Sequence, residues 1–197
     1  MKLYHGSPLD FDHFRQELSR SPNDYYGGGL AYLTTSFDVA VTYAKAGMKR
    51  QTGAGLEPTV YTIDANFKKT FDVDMEITGD DLVDFIPSQK VDEFARGAGL
   101  IKFSDSPYEV KAKLTSGRLK ISGDQIFKGL DKALGGSAKA RDYLIKMGYD
   151  SLRYNGGANM SMATRHDVYI AYKASTLRIV DKTPLETTFK NIMKRAA

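Results

Sequence analysis

The chain contains no cysteine. That excludes a disulfide framework and any thiolate zinc site, and it fits a reducing compartment. No apolar run approaches the roughly 20 residues that a membrane-spanning helix needs, so no membrane partner is expected. The first residues, Met1-Lys2-Leu3-Tyr4-His5, reach a charge at once with no apolar stretch behind them, so no secretory leader is expected. Phosphate-loop and Gly-x-Gly-x-x-Gly dinucleotide patterns are both missing. His5, His13 and His166 have no metal-ligand spacing, so no metal is expected, and neither Ser7 nor Ser36 sits in a nucleophile elbow. There are no internal repeats and no low-complexity tract.

What is present suits one globular domain spanning 1–197, with a helical or irregular insertion at about 70–140. Of the 197 residues, 42% are hydrophobic, enough for a core that needs no staples. The net charge of +4 is unevenly placed: residues 71–96 carry eight acids against two bases, and residues 111–146 nine bases against three acids. The basic stretch suits either an anionic partner or a solvated helical face, and no nucleic-acid motif accompanies it.

Strand signals cover Lys2–Gly6, Leu30–Leu33, Thr59–Ala65, Tyr149–Tyr154, Asp167–Tyr172 and Leu177–Val180, with Phe67–Val73 as a continuation and short strand-like pieces over 100–123. Helix signals begin at about Phe37, after Thr35 or Ser36 as N-cap, with Phe37, Ala40, Val41, Ala44 and Met48 as the buried face. Further helices are read over 80–97 in two pieces broken at Pro87, over Asp124–Leu134 and Ala138–Met147, and in a closing amphipathic helix over Leu185–Lys194. Strands at both ends with helices between them argue for an α+β fold.

Chemistry concentrates in two stretches. His5 ends the first strand, where an imidazole can bond a sugar hydroxyl. Gly6 follows, and a glycine there lets a planar amide reach backbone N–H and C=O groups. Tyr32 and Tyr43 stand on a strand and on the next helix, so a planar ring could sit between them. Thr34, Thr35 and Ser36 would lie at the mouth of that slot, at a helix N-terminus that favours anions. Asp167, at the start of a late strand, could stabilise cationic character at an anomeric carbon. Arg153 and Arg165 could meet a pyrophosphate.

These residues resemble the ADP-ribosyltransferase fold, in its diphtheria-toxin-like and poly-ADP-ribose-polymerase-like branch of small bacterial and phage members. The resemblance rests on His5-Gly6-Ser7, on Gly29-Leu30-Ala31-Tyr32-Leu33-Thr34-Thr35, and on Ala40-Val41-Thr42-Tyr43-Ala44. A later part lies in Gly148–Tyr154 and Val168–Val180. It implies a split, curved pair of small sheets that binds NAD as co-substrate. His5 would hold the adenosine-side ribose, Gly6 would grip the nicotinamide amide through its backbone, Ser7 would be a further NAD-binding residue, and Tyr32 and Tyr43 would flank the nicotinamide. It also implies cleavage of the nicotinamide–ribose bond and transfer of ADP-ribose to a macromolecule, protein or nucleic acid. The protein would be a monomeric, cytoplasmic toxin or phage effector, delivered with a phage particle in one version. The alternatives are an NAD glycohydrolase and an inactive binding or structural phage protein that keeps the fold. The family's third residue, a glutamate, aligns with Val168. Asp167 stands one position early, where either a bulge would re-aim it or a loop of different length would shift it into place.

Overall fold

A computed structural model describes residues 1–15, 25–50, 57–101, 119–156 and 165–185. The chain forms two compact units. The first comprises Met1–Leu18, Leu30–Phe67 and Asn155–Ala197, and the second Ser19–Gly29 and Lys68–Tyr154. The architecture is mixed α+β, with helices flanking sheet.

In the first unit five strands lie in the order β8-β2-β1-β3-β9, every neighbouring pair antiparallel. They are β1 (Lys2–Ser7), β2 (Ala31–Thr34), β3 (Thr59–Ala65), β8 (Asp167–Ala171) and β9 (Leu177–Pro184). The run Thr59-Val60-Tyr61-Thr62-Ile63, β-branched but for its tyrosine, suits β3 to the sheet interior between β1 and β9, and five of its seven positions are nearly inaccessible. Side chains alternate across such a sheet. One face carries Leu3, Ala31, Leu33, Tyr61, Ile63, Ala65 and Ala171, with Phe11 and Phe14 packed over them. The other face takes helix α1 (Phe37–Arg50).

Helix α1 lies unusually close to β1. A Cβ at Gly6 would stand 1.9 Å from the Ala40 carbonyl oxygen, and one at Gly47 would meet Pro8 at 2.9 Å. Ala40, Ala44 and Gly47 recur at helical spacing and form the seam of small residues that permits this approach. The buried face of α1 is therefore narrower than the sequence suggests. Ala40 and Ala44 are fully covered, whereas Phe37 is 37% exposed and meets Tyr4 edge-on at the margin. Ser36 is the residue whose hydroxyl accepts from the first turn, at Val39 N–H.

The second unit holds β4 (Thr70–Asp72) parallel to β7 (Ser151–Asn155), and β5 (Glu76–Thr78) antiparallel to β6 (Lys120–Ser122). Among the described residues its helices are α2 (Gly79–Val83), α3 (Val91–Gly97), α4 (Gly123–Leu134) and α5 (Ser137–Lys146). Ser122 and Gln125 close a reciprocal capping box on α4, and Gly135 ends that helix in the left-handed conformation. Phe71, Leu82, Phe94, Ile126, Leu130, Leu144 and Leu152 form its core, all inaccessible. The two helical pieces flanking Pro87 are α2 and α3. The expected continuation over Phe67–Val73 is the short β4. Most of the strand-like stretch 100–123 and of the closing helix lies outside the described residues.

Candidate functional site

The site begins where β1 parts from β2. β1 pairs with β3 at six positions, Lys2↔Asp64 through Ser7↔Thr59, but with β2 only at Tyr4↔Thr34. Continued, that register would set Gly6 opposite Tyr32. The ladder stops short of this pair, and the His5 ring takes over: its Nδ1 lies 2.8 Å from the Tyr32 carbonyl oxygen. A carbonyl only accepts, so Nδ1 carries a proton and donates it to the Tyr32 carbonyl. His5 is half-buried, with Phe11, Phe14 and Tyr61 around it at centroid distances of 5.9, 5.4 and 6.2 Å.

The neighbouring hydroxyls serve the local backbone. Ser7, which is buried, accepts from Leu9 N–H at 3.1 Å. Thr34 accepts from Ser36 N–H at 3.1 Å, and Thr35 from Asp167 N–H at 3.0 Å. Each accepting hydroxyl keeps a hydrogen to donate. Gly6 has a structural reason to be glycine that the sequence does not reveal, namely the close approach of the α1 backbone.

Alternation divides the candidate residues. Tyr32 lies between Ala31 and Leu33, both in the core cluster of the opposite face, and so belongs with Gly6 and Thr34 on the α1 side. Tyr43, on α1, is 41% exposed. His5 and Asp167 belong to the other face, the latter by alternation with Tyr169 and Ala171. The β2–β8 ladder runs without a shift from Ala31↔Ala171 to Thr34↔Val168, so no bulge within it turns Asp167 over. Asp167 sits beside Thr35, whose N–H donates to its carbonyl at 3.1 Å. Val168, 4% exposed and opposite Thr34, is on the Tyr32 side. Arg153 lies in the second unit and donates to Asp72 at 2.6 Å, with Asp74 at 3.9 Å. Arg165 is exposed.

Sequence reasoning passed over the residues around His5. Phe11 and Phe14 stand three apart in a polar stretch, Tyr61 lies directly opposite His5, and Lys182 lies opposite Tyr61. Lys182 bonds Asp10 and Asp12 at 3.0 and 2.7 Å. Its charge and the Tyr61 hydroxyl hold the Asp10 carboxyl below the ordinary carboxylate range. Burial, and then the bond to Asp10, push the Tyr61 phenol up to about 12.

Among the described residues no group of three or more acids and histidines is placed to hold a metal ion, and no helix is long and apolar enough to cross a membrane. Compared with known proteins, the chain matches no family model, no curated protein and no solved structure.

Proposed function

We propose that the protein is an NAD-dependent ADP-ribosyltransferase that binds NAD where β1 and β2 part, and passes ADP-ribose to a protein or nucleic acid. The observation that carries this reading is the replacement of the β1–β2 ladder beyond Tyr4 by the bond from His5 to Tyr32. It keeps the His-Gly strand end, the Tyr32 strand and the Tyr43 helix adjacent, with α1 seated on Gly6. It also commits Nδ1 of His5 to the strand, so that a ribose hydroxyl, which can donate or accept, would meet the ring at Nε2. A split sheet of the ADP-ribosyltransferase kind is the architecture this reading implies.

In the reaction the bond between nicotinamide nitrogen and ribose C1′ breaks, and its electron pair leaves with nicotinamide. The developing cation at C1′ is met by the acceptor nucleophile, or by water in a hydrolase. A carboxylate near C1′ lowers the barrier by electrostatics. Asp167 is the carboxylate offered for this role, with Tyr32 and Tyr43 on the nicotinamide ring and Thr34 and Ser36 toward the phosphates.

One observation favours a second reading, a binding protein without catalysis. The position on the Tyr32 face is Val168, not an acid. The two readings part in an assay of nicotinamide release from NAD, with and without host-cell lysate. A transferase releases nicotinamide faster with lysate and loses this in Asp167→Ala. A hydrolase releases equally without lysate. NAD binding without release leaves the binding protein. Absence of both binding and release contradicts the NAD reading altogether.

A further inference from the structure

A row of three side chains crosses three strands of the first unit: His5 on β1, Tyr61 opposite it on β3, and Lys182 opposite Tyr61 on β9. The segment Pro8–Arg15 runs along this row. Tyr61 is completely buried, so its hydroxyl needs internal partners. The segment supplies them: Phe11 N–H donates to the hydroxyl at 2.8 Å, and the hydroxyl faces the Leu9 carbonyl at 3.1 Å and the Asp10 carboxylate at 2.9 Å. Phe11 stacks on the Tyr61 ring, with centroids 4.2 Å apart and planes at 20°. Lys182 holds Asp10 and Asp12, and Phe11 and Phe14 stand edge-on to His5.

Every member of the row thus contacts the one short segment, Tyr61 and Lys182 sharing Asp10, and the member beneath its two phenylalanines is the imidazole. The grip is uneven. Asp10 and Asp12 are 54% and 89% exposed, so the ionic part faces water and is weak. The Tyr61 part is dry. Pro8 is the anchored end, against α1 at Gly47.

We propose that Pro8–Arg15 is a latched cover over the His5 imidazole, with the Tyr61 hydroxyl and the Lys182 ammonium as the latch, so that a ligand engages His5 only when the segment lifts. Its bearing on NAD rests on the function proposed above, while the cover itself does not. It makes opening of the segment a step that precedes binding at His5, and it assigns regulation of that step to residues on β3 and β9.

The chain has three histidines, and they serve as probes. His13 is exposed on the segment, His5 is half-buried beneath it, and His166 is buried at 5% exposure. Diethyl pyrocarbonate at neutral pH, followed by peptide mass spectrometry, reads the acylation rate of each. In wild type, His5 should react at least tenfold more slowly than His13. Tyr61→Phe and Lys182→Met should each raise the His5 rate at least threefold and leave His13 and His166 unchanged. Equal rates at His5 and His13 in wild type overturn the proposal, as does a His5 rate that neither variant moves. A parallel rise at His166 would show the whole unit loosening instead of a latch, and overturns it too. No nucleotide enters this experiment, so a failure of NAD binding and a failure of the latch are separately visible.

Discussion

The two faces of the first unit's sheet are built by opposite means. On the α1 face the contact is small against small: Gly6 meets the backbone of Ala40 and Ala44 with no room for a methyl group. On the other face the contact is large against large: Phe11, Phe14, Tyr61 and His5 fill the space with rings and a shared hydroxyl. A small-residue seam is rigid and intolerant, because nothing in it can rotate away. A cluster of rings under a short segment has rotamers to change. The residues proposed to hold nicotinamide belong to the rigid face, and the imidazole proposed to hold ribose belongs to the movable one.

The largest effect should follow from adding one methyl group to the rigid face. Gly6→Ala places a Cβ 1.9 Å from the Ala40 carbonyl oxygen, and neither strand nor helix backbone can turn aside. Overpacking of this kind costs about 3 kcal/mol, to be read by chemical denaturation. A loss below about 0.5 kcal/mol would mean that α1 does not seat on β1 as described.

The next effect separates the faces chemically. Val168→Glu puts a carboxylate on the Tyr32 side, opposite Thr34. If catalysis runs on that face, nicotinamide release should rise about a hundredfold, the scale on which placement of a reacting group acts, and Asp167→Ala should change little in that background. If Asp167 is the working carboxylate, Asp167→Ala in the natural chain abolishes release, and Val168→Glu does not restore it.

Acidity should sharpen the contrast from the movable side. Asp10 is held below its ordinary range by Lys182 and then by Tyr61. Its contribution is therefore present above the unfolded carboxylate value and lost as pH falls through the lowered one. The Lys182 ammonium is held above its ordinary value by Asp12 and then Asp10, so its contribution is lost only as strong alkali removes that proton. Tyr61 favours the neutral phenol up to about 12, so its contribution fades between 10 and 12. Protection of the Phe11 amide, corrected for intrinsic exchange, should hold from pH 5 to 9 and fall at pH 3 (values chosen about the ordinary carboxylate and phenol ranges). Protection of the Ile63 amide should not fall. A Phe11 amide equally protected at pH 3 would remove Asp10 from the latch.

The smallest effect belongs to an exposed ion pair outside both contacts. Arg178 and Asp64 form a pair at 2.6 Å, but their side chains are 75% and 46% exposed. Arg178→Ala should change stability by no more than about 0.5 kcal/mol, against the cost at Gly6.

These differences explain what the sequence made legible. The strand Thr59–Ala65 and the helix that starts at Phe37 are marked by local chemistry, a β-branched run in one case and a hydroxyl cap in the other, and both stand where those signals put them. The side a residue faces is not local. It depends on register between strands distant in sequence, and the unshifted β2–β8 ladder assigns Asp167 and Val168 to opposite sides. The row His5–Tyr61–Lys182 joins residues far apart in the chain, and no spacing announces it. The glycine of the His-Gly pair was legible as a position needing room. That the room is taken by α1 appears only once the helix is seated.

The most direct test of the central claim is a calorimetric titration of NAD into wild type and Tyr43→Ala. Tyr43 is 41% exposed, so its removal should leave the fold intact. Stacking of a base or base-like ring on an aromatic side chain contributes about 1–3 kcal/mol. The account predicts saturable binding to wild type, weakened about tenfold or more in the variant. Wild type that binds no NAD, or a variant that binds it equally well, would contradict it.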